Sequence, residues 1–183
     1  PLTMQSYSLI EKVEASFFQS VTTRTAGFAT IPQENFTNAS SIVSLLLMFI
    51  GGSPVGTAGG IKTVTFVILL ATAASVIKNK RTIDVFNRQI SEKSIKKAIA
   101  VFATSFSVMT LSTILLSAAS NADFLDVLYE TVSATATVGL TRNFTASLNT
   151  VGKIIIIATM YFGRVGPISL AVAFKMRKSS ENI

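Results

Sequence analysis

Long uncharged stretches, separated by short charged segments, dominate the chain. Residues 98–122 contain no charged side chain, which is enough for one helix across the hydrocarbon core of a bilayer, about 30 Å thick. Residues 35–61 and 63–77 are also uncharged, with a single lysine between them, and residues 154–174 hold one arginine. The pattern predicts an all-α membrane protein with one continuous span and two interrupted ones.

A second pattern occurs twice, 112 residues apart. Residues 14–52 align without gaps on residues 126–164, and the agreement is concentrated at threonines and glycines. It returns in register at residues 48–51 and 160–163. Internal repetition of this kind indicates a duplicated structural unit.

Each copy begins with a short helical pattern. In the second copy, apolar side chains recur at three-to-four spacing, and two aspartates lie in the first turn, where carboxylates favour the helix dipole. We therefore predict short helices at about residues 8–22 and 123–134. The second is indicated by Phe124, Leu125, Leu128, Tyr129 and Val132, with Asp123 and Asp126 at its start.

The basic residues orient the spans. Seven of the 16 lie from Lys78 to Lys97, and three more follow the last span at Lys175, Arg177 and Lys178. By the positive-inside rule, both clusters face the cytoplasm. The net charge of +7 could also suggest nucleic acid. Basic residues that bracket apolar spans are topology signals, however, so no nucleic-acid partner is predicted.

This orientation determines the path of the chain. Residues 38–77 run inward, residues 98–119 run outward, and an inner helix at about residues 150–174 runs inward again. Residues 123–149 therefore begin and end outside and form a re-entrant loop. Non-helical backbone is tolerated at membrane depth only where protein buries it or where it lines a water-filled path. The same account fits the first copy, so both copies have the same orientation.

Threonine and glycine dominate the strand after each short helix. Glycine permits φ values that turn successive carbonyls inward, and carbonyl and hydroxyl oxygens can replace the water shell of a monovalent cation. Repeats of like orientation favour a pore ringed by equivalent loops over the inverted repeats of many transporters. Neither strand has a carboxylate for a divalent cation. The strands are Thr23, Arg24, Thr25, Ala26, Gly27 and Phe28, and Thr135, Ala136, Thr137, Val138, Gly139 and Leu140.

A glycine-rich stretch interrupts the first inner span. Residues 51–60 contain five glycines and a proline, and each glycine in a helix costs about 1 kcal/mol against alanine. A phosphate-binding loop is excluded, because Ile61 separates Gly60 from Lys62 where adjacent Gly-Lys is required. Two interpretations remain, a kink that eases packing and an intramembrane loop that controls passage.

Some classes of protein are made improbable by what the chain lacks. It has no cysteine and no histidine, which removes thiol nucleophiles, imidazole bases and the usual zinc ligands. We predict that it is not an enzyme and holds no organic cofactor. The chain opens on Pro1, without an initiator methionine or a leader, so we expect it to be a piece of a longer polypeptide.

Three motifs in this order resemble the Trk/Ktr/HKT superfamily of cation transporters, and its bacterial KtrB type most closely. They are residues 23–28 after a short helix, the glycine-rich residues 51–63, and residues 163–167 in the last span. The resemblance covers nearly the whole chain. It implies a potassium-channel-like fold of four helix, pore-loop and helix repeats around one pore. This chain resembles the third repeat without its first helix, and the complete fourth.

We therefore expect five segments. Residues 1–78 are the third repeat, residues 79–97 a basic cytoplasmic linker, residues 98–178 the fourth repeat and residues 179–183 a cytoplasmic tail. The linker is either a solvated connector or the surface that docks a regulatory partner. Two repeats alone cannot close a four-part pore, so the isolated chain is not expected to conduct.

The resemblance implies potassium uptake, coupled to sodium in many members, by a homodimer in the cytoplasmic membrane. A cytoplasmic ring of nucleotide-binding subunits would regulate it. The strands at residues 23–28 and 135–140 would be the ion selectivity filter. Backbone oxygens at Thr25, Gly27, Thr137 and Gly139 would bind K⁺, and both glycines follow the potassium-type pattern. The corresponding position of the first repeat is not in this chain, so sodium preference stays open. The alternative is a secondary solute or sodium transporter with broken helices.

The implied gate lies below these strands. Arg164 falls on Gly52 in the repeat alignment, where the other helix breaks and leaves carbonyls that suit the five donors of a guanidinium. We expect Arg164 to hold the glycine-rich loop closed and to repel cations, with snorkelling or a buried structural pair as the alternative. The predicted gate residues are Gly51, Gly52, Ser53, Pro54, Gly56, Thr57, Ala58, Gly59, Gly60, Lys62 and Arg164.

Two expectations concern the other charges. Arg24 would oppose conduction if it faced the axis, so it should point behind its strand toward Glu14, Glu34 or Glu130. The cations that flank the outer loop are predicted to be solvated. These are Arg142 and Lys153.

Overall fold

The computed structural model describes residues 3–53, 59–79, 83–85 and 88–165, and their architecture is almost entirely helical. Apart from one pair of two-residue antiparallel strands, the described elements are helices, which confirms the predicted all-α class. The elements are α1 Leu9–Thr22, α2 Asn38–Phe49, α3 Thr63–Ile77, β1 Asp84–Val85, β2 Arg88–Gln89, α4 Glu92–Ala119, α5 Phe124–Thr135 and α6 Thr150–Val165, with 3-10 helices at Gln33–Asn35 and Thr145–Ser147.

The duplication is visible in the backbone. The two 3-10 helices stand 112 residues apart, and so do the first residues of α2 and α6. Capping side chains keep the same register: the Thr37 hydroxyl accepts a hydrogen bond at the start of α2, and the Asn149 side chain does so at the start of α6. The copies differ in sequence but share the position of the 3-10 helix and the start of the helix that follows it.

The first interrupted span is two helices. α2 ends at Phe49 and α3 begins at Thr63, so the break spans the glycine-rich stretch. Of the described helices, only α4 is both long and apolar enough to cross a membrane by itself, and α2 and α3 are shorter apolar helices. A crossing by α2 and α3 therefore needs both halves.

Some predicted boundaries differ from those in the structure. The linker was predicted to reach residue 97, but α4 already begins at Glu92 because the Ser91 hydroxyl caps it and Lys96 pairs with Glu92 at 2.8 Å. Charges in this exposed first turn belong to the helix. The short helices predicted at residues 8–22 and 123–134 are α1 and α5, each starting one residue later than predicted. The inner helix predicted at residues 150–174 is described as far as Val165.

Two apolar clusters position the second strand. One joins α2 to α5 and contains Met48, Tyr129 and Val138, the first two of which are fully buried. The other lies within the second copy, between α4, α5 and α6. Buried hydroxyl pairs also join these helices, Ser112 with Thr159 at 2.7 Å and Thr113 with Thr131 at 2.8 Å. Small polar pairs of this kind are typical of helix packing in membranes.

Candidate functional site

The backbone of both strands alternates in handedness at equivalent positions. φ is +71° at Thr25 and +77° at Gly27, and it is +56° at Thr137 and +92° at Gly139. Left-handed backbone is rare for a β-branched residue, and such strain persists only where the surrounding structure imposes it. Alternating handedness brings successive carbonyl groups to one side of a chain. Both copies therefore have the same backbone conformation at equivalent positions.

The C-terminus of each short helix holds the strand that follows it. In the first copy, the amides of Ala26 and Gly27 both donate to the Thr22 carbonyl, at 3.1 and 3.2 Å, and the Thr22 hydroxyl donates to the Phe28 carbonyl at 2.6 Å. In the second copy, Ser133 accepts from the Val138 amide through its carbonyl at 2.9 Å and from Gly139 through its hydroxyl at 3.1 Å. Each helix thus sets the conformation of its strand with both backbone and side-chain groups.

The two strands are in contact at a glycine. A Cβ atom at Gly27 would collide with the carbonyl oxygen of Val138 in the other copy. A Cβ atom at Gly139 would meet nothing within 4 Å. Gly27 is therefore required by a close approach as well as by its φ, whereas Gly139 is required by its φ alone.

The glycine-rich break lies against the start of both strands. The Gly59 amide donates to the Thr137 hydroxyl at 3.1 Å, and the Arg24 guanidinium donates to the Gly51 carbonyl at 3.5 Å. A Cβ atom at Gly59 would lie 2.8 Å from the Ala136 carbonyl oxygen, so only glycine allows this approach. Gly51, Gly52, Ser53, Gly59, Gly60 and Lys62 of the predicted gate are described, whereas Pro54, Gly56, Thr57 and Ala58 lie outside the described residues.

Arg164 stands in the last described turn of α6, where its side chain is exposed. The preceding residue, Gly163, is packed so closely that a Cβ atom would collide with the Thr135 carbonyl. The backbone beside Arg164 therefore meets Thr135, which is the last residue of α5 and the first of the second strand. The contact of Arg164 with the glycine-rich loop stays a prediction.

Arg142 is not solvated, and that prediction was wrong. Only 11% of its side chain is exposed, and its Nε donates to Asp126 at 2.7 Å. Its Nη1 donates to the Ser41 hydroxyl at 2.7 Å and to the Gln33 carbonyl at 3.0 Å. The nearby Glu34 carbonyl is a longer acceptor at 3.4 Å. Sequence reasoning missed this residue because its acceptors in the first copy lie about 100 residues away in the chain.

The partners expected for Arg24 are also different in the structure. Arg24 reaches the Gly51 carbonyl, not a glutamate. Glu130, one of the expected partners, is buried and accepts hydrogen bonds from the hydroxyls of Thr141 and Thr145. The prediction considered only charged side chains as partners. Backbone carbonyls that a helix break leaves without an amide partner cannot be recognised in the sequence as charged residues can.

A buried amide network also joins the copies. The Gln33 side-chain oxygen accepts from Gln19 at 2.8 Å and from the Tyr129 hydroxyl at 2.9 Å, while its nitrogen donates to the Ile31 carbonyl at 2.6 Å. Gln19 lies on α1 and Tyr129 on α5, so Gln33 connects the short helix of each copy. Gln33 is 1% exposed, and burial of an amide is favourable only when its groups are paired.

The site has no acidic cage. Within the described ranges, no group of three or more acidic residues could hold a metal ion. The oxygens of the two strands belong to backbone and hydroxyl groups, which are neutral ligands. Such ligands suit a monovalent ion that must bind and leave again.

The fold and site together define a class: a helical membrane protein with repeated pore loops, in which short helices hold oxygen-lined strands. The chain belongs to the TrkH family of cation transport proteins, whose family model matches residues 2–183. This is a family of membrane transporters and not of enzymes.

Similar proteins agree with this assignment. The chain is 38% identical over 180 residues to the Ktr system potassium uptake protein B of Bacillus subtilis, covering 98% of the chain and 40% of that protein. It is 36% identical over 169 residues to the potassium/sodium uptake protein NtpJ of Enterococcus hirae, covering 90% of the chain and 38% of that protein. The chain thus spans about two fifths of the length of these relatives.

A solved structure has the same fold. The potassium transporter TrkH from Vibrio parahaemolyticus superposes with a TM-score of 0.78 at 21% identity. The match covers 91% of this chain and 38% of that one. It supports the architecture of helices and pore loops described above.

Proposed function

We propose that this chain forms part of the pore of a potassium uptake protein in the cytoplasmic membrane. The observation that carries the proposal is the matched left-handed backbone at Thr25, Gly27, Thr137 and Gly139. It offers two equivalent rows of oxygens for a dehydrated monovalent cation. The names of the relatives from Bacillus subtilis and Enterococcus hirae support potassium as the ion, and the second leaves room for sodium.

The complete pore has four such loops. Two rows of oxygens surround only part of an ion, so the first two repeats of the same polypeptide supply the others. The functional unit is a multi-pass homodimer, and a cytoplasmic ring of nucleotide-binding subunits regulates it. The basic linker between α3 and α4 is the segment of this chain that faces that ring.

The glycine-rich loop is the gate of this pore. Its described ends contact both strands, through Gly51 to Arg24 and through Gly59 to Thr137. A segment at the inner end of both strands can block an ion without distorting either of them. Arg164 is the cation that holds this loop closed. The role of the loop as gate and the role of Arg164 both depend on the position of the loop below the strands.

Rubidium uptake tests the proposal. The full-length polypeptide that carries this chain is expressed in bacteria that lack potassium uptake, and ⁸⁶Rb⁺ influx is measured with and without Na⁺. We expect growth on low potassium and influx that unlabelled K⁺ competes away more strongly than Na⁺. A requirement for Na⁺ would establish coupling. Influx that only Na⁺ inhibits would reassign the protein to sodium, and no influx at normal membrane abundance would refute the proposal.

A further inference from the structure

Arg142 connects the outer ends of the two copies. It follows the second strand by two residues and binds Asp126 on α5 of its own copy. In the first copy it binds the Gln33 carbonyl, which lies in the loop after the first strand, and the Ser41 hydroxyl on α2. The guanidinium of Arg142 therefore joins the C-terminal end of the second strand to the loop and the inner helix that follow the first strand. We call Arg142, Asp126, Gln33 and Ser41 the outer clamp.

Two members of the clamp are buried and two are partly exposed. Ser41 is 0% exposed and Gln33 is 1% exposed, whereas the side chains of Arg142 and Asp126 are 11% and 29% exposed. A guanidinium loses its water at such a site and is stable only if its donors are satisfied in a fixed geometry. Here a carboxylate, a hydroxyl and a carbonyl satisfy them from three separate segments. A shift of either copy would break these hydrogen bonds.

The clamp continues inward through Gln33. The side chain of Gln33 accepts from Gln19 and Tyr129, which lie on the two short helices that hold the strands. Tyr129 packs in the apolar cluster that contains Val138. A displacement of Arg142 would therefore reach the contact between Val138 and Gly27.

The clamp is absent from the equivalent position of the first copy. Arg142 aligns with Thr30 at the spacing of 112 residues, and threonine cannot span to a neighbouring loop in this way. Of the two copies in this chain, only the second therefore carries the arginine of the clamp.

We propose that Arg142 is a positioning residue for ion selectivity, which acts by fixing the separation of the two strands. The inference rests on the proposed function. Discrimination between K⁺ and Na⁺ by backbone oxygens depends on the position of those oxygens. A pore whose strands can separate should still pass cations but should discriminate less between them.

Substitutions in the full-length polypeptide test this role. Arg142→Gln removes the charge and most of the clamp, whereas Ser41→Ala removes one acceptor and leaves the charge and its pairing with Asp126 in place. Lys153→Gln is the matched control, since Lys153 is an exposed cation at the outer end of α6. The concentration of K⁺ that halves ⁸⁶Rb⁺ influx and the concentration of Na⁺ that does so are measured separately, at equal membrane abundance. The readout is the ratio of these two concentrations.

We expect Arg142→Gln to reduce discrimination by about tenfold, since it removes one partner of a partly buried charged pair. Ser41→Ala should have a smaller effect in the same direction, and Lys153→Gln none. If Arg142→Gln does not assemble, the inference is tested by Ser41→Ala alone. Unchanged discrimination in Ser41→Ala would then overturn the inference, as would equal effects of Arg142→Gln and Lys153→Gln. If the unmodified protein conducts K⁺ but the clamp variants discriminate normally, only this inference fails and the proposed function stands.

Discussion

The carbonyl oxygen of Val138 occupies the space in which residue 27 would carry a Cβ atom. Gly27 also has a φ of +77°, so it is constrained both by its own backbone and by the other copy. The two strands therefore cannot vary independently at this level, and this contact allows the roles of two equivalent glycines to be separated by experiment.

Gly27→Ala should impair uptake more than Gly139→Ala. In both variants, an alanine in the left-handed region destabilises the backbone by about 1–2 kcal/mol. Only in Gly27→Ala does the new Cβ atom also collide with the Val138 carbonyl. The measurement is ⁸⁶Rb⁺ influx together with its inhibition by Na⁺, at matched abundance. Equal effects of the two variants would contradict the contact between the strands.

Thr137→Ala should increase basal influx. It removes the hydroxyl that accepts a hydrogen bond from the Gly59 amide. Such a hydrogen bond contributes about 1 kcal/mol, so its loss should change the fraction of open pores severalfold. Thr137→Ser retains the hydroxyl and is the matched control. A decrease in influx with Thr137→Ala but not with Thr137→Ser would show that the hydrogen bond supports conduction and not closure.

Deletion of residues 53–58 should raise cation influx and weaken control by the regulatory partner. The deletion can be closed locally, because Gly51 and Gly59 are in contact. Influx is compared in cells with and without the regulatory subunit. Unchanged influx and unchanged regulation would favour the simple kink over the gate.

Arg164→Ala should increase uptake, because the cation that closes the loop is removed. Arg164→Lys keeps the charge with fewer donors and should be intermediate. Folding is checked by membrane abundance and by size-exclusion chromatography in detergent. Loss of uptake in a folded Arg164→Ala protein would reject a closing role.

The Ser112 and Thr159 pair should contribute to stability and not to selectivity. A double-mutant cycle with Ser112→Ala and Thr159→Ala, measured by unfolding in detergent, should give a coupling free energy of about 0.6 kcal/mol. Ser107→Ala is the control, because the Ser107 hydroxyl donates only to the Ala103 carbonyl of its own helix. A coupling near zero would mean that packing alone holds α4 against α6.

Local features of the fold were predictable from the sequence. The helix break follows from glycines that cost helical stability wherever they lie, and the short helices follow from apolar spacing and acidic first turns. The end of the linker was not predicted, because charge was taken as the mark of a loop. Glu92 and Lys96 are charged and helical, since the first turn of α4 is exposed.

Contacts between the copies were not predictable in this way. Arg142 was assigned to solvent because nothing near it in the chain needs a cation except Asp126, which lies 16 residues earlier. Gln33 and Tyr129 are 96 residues apart and carry no charge pattern that would suggest a pair. An arginine directly after a pore strand, with a carboxylate on the preceding short helix, is the signal that could have identified the clamp.

The two halves of the broken span are joined again beyond the break. Ile50 and Ile61 form a parallel bridge, the Ile61 amide donates to the Phe49 carbonyl at 3.2 Å, and the Thr63 amide donates to the Gly52 carbonyl at 3.4 Å. This junction closes a ring of backbone around the glycine-rich segment. The direct connection between α2 and α3 therefore runs through backbone groups of Phe49, Gly52, Ile61 and Thr63. The two halves of the span are paired by residues outside the stretch from Ser53 to Gly59, so a change within that stretch leaves these hydrogen bonds in place.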